Sequence, residues 1–144
     1  MNPTWPQRIP VIVFTAITGL LLGVIVFLAR ESLLVITIAL STNAYLPRAM
    51  DKIYLIVLGL IWLLSWFVFE GYLNGGVAKK NVLARFLVVL GWELVALFVF
   101  SIAAYLFTES GVNWTAVGLL SAAFIAGIAL LYTARRMFSA PQKT

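Results

Sequence analysis

Residues 52–72 read KIYLIVLGLIWLLSWFVFEGY, and this stretch decides the fold. No charged residue lies between Lys52 and Glu70, and the side chains do not alternate apolar and polar as a half-buried strand would. A helix of about 20 apolar residues is long enough to cross a hydrocarbon core of about 30 Å. The length of this run therefore predicts a membrane span rather than a core helix.

Further runs of the same kind occur on both sides. They predict spans over residues 11–29, 82–107 and 114–132 in addition to 52–72. Hydrophobic residues make up 63% of the 144-residue chain and charged residues only 10%. A soluble domain carries about 25% charged residues, so this chain cannot cover a water-facing surface. The expectation is an all-α integral membrane protein: one transmembrane domain over 1–144, built as a small bundle of four helices. The first run, Val11 to Ala29, exceeds the roughly 7–15 apolar residues of a signal peptide, and no small-residue cleavage site follows it. It reads as a retained span.

Residues 31–46 fit this scheme less easily. The apolar stretch Leu33–Leu40 is too short to span, Pro47 follows, and Thr37, Ser41, Tyr45 and Arg48 recur at helical spacing. The segment is expected to be an additional amphipathic or re-entrant element, or a short fifth span. Asp51, Asn81 and Asn113 stand where N-caps of the following helices belong, and 73–81 reads as a Gly-rich turn with a basic pair. Lys79, Lys80, Arg85, Arg135, Arg136 and Lys143 place the 73–85 connector and the C-terminus in the cytoplasm, whereas 108–113 carries no basic residue. With four spans the N-terminus is cytoplasmic too, and the setting expected is a bacterial cytoplasmic membrane.

The chemistry available is narrow. The chain has no cysteine and no histidine, which removes thiolate and imidazole nucleophiles, disulfides and most transition-metal ligand sets. Close paired carboxylates and phosphate loops are missing as well, so no enzyme, no catalytic residue, no metal site and no intrinsic cofactor are expected. Twenty aromatic residues (five Trp, five Tyr, ten Phe) are compatible with a bound lipid, quinone or pigment without specifying one. The net charge of +5 sits in connectors and tails, where it serves topology and anionic lipid rather than nucleic acid.

Two small-residue faces predict close helix packing, inside the chain or against another subunit: Gly19 and Gly23 on the first span, and Gly118, Ala122 and Ala126 on the fourth. Glu70 and Arg85 lie equally far from the turn between the second and third spans and are expected to pair at the interface. Glu93 is different. The same mirror places it level with Trp62, and the next turn places it level with Gly127, far from any cation. Low polarity there favours the neutral acid over the carboxylate. Trp62 and Ser65 are its expected hydrogen-bond partners.

The functional expectation is a non-catalytic small membrane subunit, or an assembly or stabilising factor, of a larger complex. A respiratory or photosynthetic complex, an ATP synthase or a transporter would each fit, with lipids and other transmembrane subunits as partners. The alternative is a small homo-oligomeric proton- or cation-coupled carrier or channel that uses Glu93. A carrier needs several converging polar groups or broken helices, and the interior of these spans offers little beyond Thr15, Thr18, Ser65, Ser101 and Ser121. Small four-span drug exporters carry an acid in their first helix, where this chain has only Thr and Gly.

Overall fold

A computed structural model describes residues 5–43, 45–106 and 114–139. Four helices account for nearly all of them: α1 (Trp5–Leu40), α2 (Leu46–Ala78), α3 (Val82–Leu106) and α4 (Trp114–Ser139). All four are long and apolar enough to cross a membrane.

The extra element expected at 31–46 is not separate. Residues 31–40 continue α1, which runs unbroken for 36 residues, about 54 Å at 1.5 Å per residue. Nothing between Ala29 and Leu33 breaks a helix, because the charges there are matched. Arg30 Nη1 donates to Glu31 Oε1 at 2.7 Å, and its Nη2 pairs with Asp51 on α2. Ser32 Oγ reaches both its own helix at Leu28 O and the α3 carbonyl of Phe100, each at 2.8 Å. A charge pair inside an apolar run looked like a helix end but is a contact between α1 and α2.

The chain leaves α1 after Leu40 and enters α2 at Leu46. Ser41 Oγ bonds to the Asn43 main chain, and Asn43 Oδ1 accepts from Tyr45 N at 2.9 Å. Pro47 then sits in the first turn of α2, where its fixed φ and missing N–H cost nothing. The polar face expected from Thr37 to Arg48 is accordingly split. Thr37 stays on α1 and meets Tyr54 OH at 2.9 Å, Ser41 and Tyr45 belong to the connector, and Arg48 is on α2. Asp51 lies within α2 rather than capping it.

The second turn is also shorter than expected. Gly75 and Gly76 are helical, and reversal is confined to Lys79–Asn81, with Lys80 at φ 53°. The two glycines are needed for closeness: a Cβ on Gly75 would stand 2.7 Å from Arg85 Nη1, and one on Gly76 would stand 3.0 Å from the Val82 backbone. Asn81 does precede α3, and its carbonyl accepts from Arg85 N at 3.1 Å. Its buried side-chain oxygen has no partner, so it makes no cap through Oδ1. The N-cap expected at Asn113, the 108–113 turn and Lys143 lie outside the described residues.

The packing order differs from a closed bundle. α1 touches α2 and α3, α2 and α3 meet each other, and α4 packs on α3 alone among the described residues. Val11, Leu73 and Phe86 form the buried centre at one end, with Phe14, Val77, Val82, Leu87 and Leu90 around them. Phe14 stacks on Phe86 at 4.2 Å near this end, and Ser32 reaches Phe100 toward the other, so α1 and α3 run parallel. Contacts of Gly91 with Gly127 and of Phe98 with Phe124 make α4 antiparallel to α3.

Candidate functional site

The seam between α1 and α3 is written in a seven-residue repeat. On α1, Val11, Thr18, Ile25 and Ser32 are all buried at intervals of seven, and Thr15 and Ala29 fill the intermediate positions. On α3, Phe86, Glu93 and Phe100 share the same interval. Seven residues make nearly two turns, so such positions face one way, as in left-handed coiled coils. Phe86 and Phe100 both touch α1. Glu93, halfway between them, therefore occupies a core position of the same seam.

Its burial agrees with that placement. Glu93 is 3% exposed, and neither carboxyl oxygen has a hydrogen-bond partner. Both flanks of the seam are satisfied. Below it, the Phe14–Phe86 stack is apolar; above it, the Ser32 hydroxyl is saturated by two carbonyls. On α1 the Thr18 hydroxyl is turned to its own helix, at Phe14 O (3.0 Å) and Thr15 O (3.2 Å). The Thr15 hydroxyl oxygen is also buried without a partner. A carboxyl with no hydrogen-bond partner thus sits buried in this seam, where a polar group is costly unless bonded.

Neither expected partner bonds to Glu93. Trp62 Nε1 donates to Gly19 O on α1 at 2.9 Å, and Trp66 meets Trp62 edge to face at 5.7 Å. Ser65 is a neighbour on α2, whose described core contacts with α3, at Leu73, Val77, Val82 and Phe86, lie toward the turn. Gly127 is indeed at Glu93's level, because a Cβ on it would meet Gly91 O, Leu94 and Val95. It lies against another face. At 100° per residue, Glu93 points about 150° away from the strip that carries Gly91, Leu94 and Val95. The carboxyl faces α1, and α4 lies behind it.

The two small-residue faces have different fates. Gly19 and Gly23 pack within the chain, against the tryptophans of α2. A Cβ on Gly19 would fall 2.2 Å from Trp66, and one on Gly23 would lie 3.5 Å from Trp62 Nε1. On α4 the expected ridge is not used inside the chain: Gly118, Ala122 and Ala126 are exposed, and nothing lies within 4 Å of a Cβ built on Gly118. The hairpin closes instead through Gly91 and Gly127, each of which would place a Cβ 2.9 Å from the other's carbonyl oxygen. Gly91 stands alone in LVVLGWELV, with no small residue four positions away, so no spacing pattern marked it.

Glu70 and Arg85 are not brought together. Arg85 Nη1 donates to Tyr72 O at 2.5 Å, and its guanidinium lies 4.8 Å from the centre of the Tyr72 ring. Glu70 turns toward α1 and lines a cavity with Arg8. Equal distance from a turn fixes height along two helices but not the direction in which each residue points.

Among the described residues no group of three acidic side chains is placed to hold a metal ion. Comparison with known protein families, with curated proteins and with solved structures finds no match.

Proposed function

We propose that the chain is a non-catalytic membrane subunit, or a stabilising factor, of a larger membrane complex. The observation that supports this most is the outer face of α4. Among the described residues that helix rests on α3 alone, and its small residues Gly118, Ala122 and Ala126 are exposed. Small residues allow a neighbouring helix to approach closely where bulky ones would hold it off. In this reading Glu93 is a neutral carboxyl at a core position. Its role is to fix the register of α1 on α3, as single polar residues do in coiled-coil seams. The basic ends of α2, α3 and α4 lie together and face the cytoplasm.

The orphaned, buried carboxyl of Glu93 supports a second reading: a small homo-oligomeric proton or cation carrier. Glu93 stands in the α1–α3 seam between the Phe14–Phe86 stack and the doubly bonded Ser32 hydroxyl, a core position that supports the packing role over the carrier. Native mass determination after extraction in a mild detergent separates the two. Foreign subunits in fixed ratio are expected, and a clean homo-oligomer overturns the first reading. Glu93→Gln keeps the shape and removes ionisation, so loss of proton-coupled flux in proteoliposomes with that variant would establish the carrier.

A further inference from the structure

The cavity between the N-terminal part of α1 and the C-terminal part of α2 holds about 270 Å³ and is lined by two antiparallel strips. One strip is Arg8, Ile12 and Ala16, with Val11 and Thr15 beside it; the other is Trp66, Glu70 and Asn74. Each strip advances by one helical turn per residue, so the cavity is graded. Its polar groups, Arg8, Glu70 and Asn74, stand at the ends of the apolar runs. Ala16 and Trp66 stand one or two turns deeper, next to the Trp66–Gly19 contact.

The cation and the anion on this wall are not matched to each other. Among the described residues the ion pairs gather at Arg30, and neither Arg8 nor Glu70 belongs to one. The nearby Arg85 is committed to Tyr72. A cavity with a free guanidinium, a free carboxylate and an amide at its mouth, and apolar walls below, is complementary to a molecule with both charges on a short head and a hydrocarbon tail. A guanidinium suits a phosphate, and a carboxylate accepts hydrogen bonds from a primary ammonium but not from a quaternary one. The volume lies below the roughly 300–1,000 Å³ of pockets for drug-sized ligands, which suits a headgroup better than a whole cofactor.

We infer that this cavity is a binding site for the headgroup of an ethanolamine-type phospholipid. Arg8 and Asn74 hold the phosphate, Glu70 holds the ammonium, and the start of the acyl region lies along Ile12, Ala16 and Trp66. The site requires that α1 and α2 cross the membrane, and it does not depend on the chain being part of a complex.

The test is competitive lipid retention by native mass spectrometry, with the full chain in mild detergent and equal amounts of phosphatidylethanolamine, phosphatidylcholine and phosphatidylglycerol of identical acyl chains. The ethanolamine lipid is expected to dominate the bound population. Glu70→Gln should cut its excess over phosphatidylglycerol by about tenfold, the scale of a lost charge-assisted hydrogen bond. Arg8→Gln should weaken all three lipids together. Both residues are exposed, so folding is not at risk, and a deeper block, Ala16→Phe, should reduce retention without changing headgroup order. Equal retention of the three lipids, or an ethanolamine preference that survives Glu70→Gln, overturns the assignment.

Discussion

The most demanding consequence of the packing concerns two glycines, Gly91 and Gly127, that meet across the α3–α4 seam. Alanine at Gly91 would place its Cβ 2.9 Å from Gly127 O and 2.8 Å from Leu131 Cγ; alanine at Gly127 would place its Cβ 2.9 Å from Gly91 O. Leu131 can rotate, but a helical carbonyl cannot, so α4 must move out by about half an ångström along the seam. Overpacking of this kind costs about 1–3 kcal/mol. Against it stands the better helix propensity of alanine, about 1 kcal/mol. The packing cost equals or exceeds that gain, so the net loss should be about 0–2 kcal/mol for either substitution. The same change at Gly59, Gly71 or Gly118, where nothing lies within 4 Å, should be neutral or stabilising. Because both alanines push on one contact, the double variant should lose less than the two losses added. Thermal stability in mild detergent, read as the temperature at which half of the monodisperse protein is lost, ranks these variants. If Gly91→Ala and Gly127→Ala melt with Gly118→Ala, the close α3–α4 contact is wrong.

Two further substitutions probe other joints. Gly19→Ala would drive a Cβ to 2.2 Å from Trp66 and must dislodge that ring, which also disturbs the Trp62 bond to Gly19 O. A loss of about 1–3 kcal/mol is expected in the same assay, with a shift in tryptophan fluorescence. Lys80 holds φ 53° in the turn between α2 and α3, and Lys80→Gly should gain about 1 kcal/mol by relieving its Cβ, which stability measurement would show as a higher midpoint.

Several of these features were legible in the amino-acid sequence, and the rest failed for a shared reason. Length and apolarity located the four helices, because the thickness of a membrane core is a constraint on one chain segment at a time. Reflection about the turns placed Glu93 at the height of Gly127, which the contacts of Gly127 with Gly91, Leu94 and Val95 bear out. Height was all it could give. The rotation of each helix about its axis depends on what packs around it. That rotation sent Trp62 to Gly19, Arg85 to Tyr72 and Glu70 toward Arg8 instead of the expected pairs. The α1 extension was hidden by a similar gap. Arg30 and Glu31 look like the end of a span until Asp51, in the second turn of α2, is known to meet Arg30. Gly19 and Gly23 announced a packing face, but only the fold shows that its mate is the tryptophan pair of α2.

In the proposed function the exposed small-residue face of α4 is covered by a different subunit. The most direct measurement is photo-crosslinking in the native membrane from a reactive residue placed at Ala122 or Ala126, with Gly127 as the inward control. A single foreign membrane protein is expected to be cross-linked from the two outward positions, and an internal link to α3 from the control. Cross-links from Ala122 and Ala126 to lipid alone, or to a second copy of this chain, would contradict it.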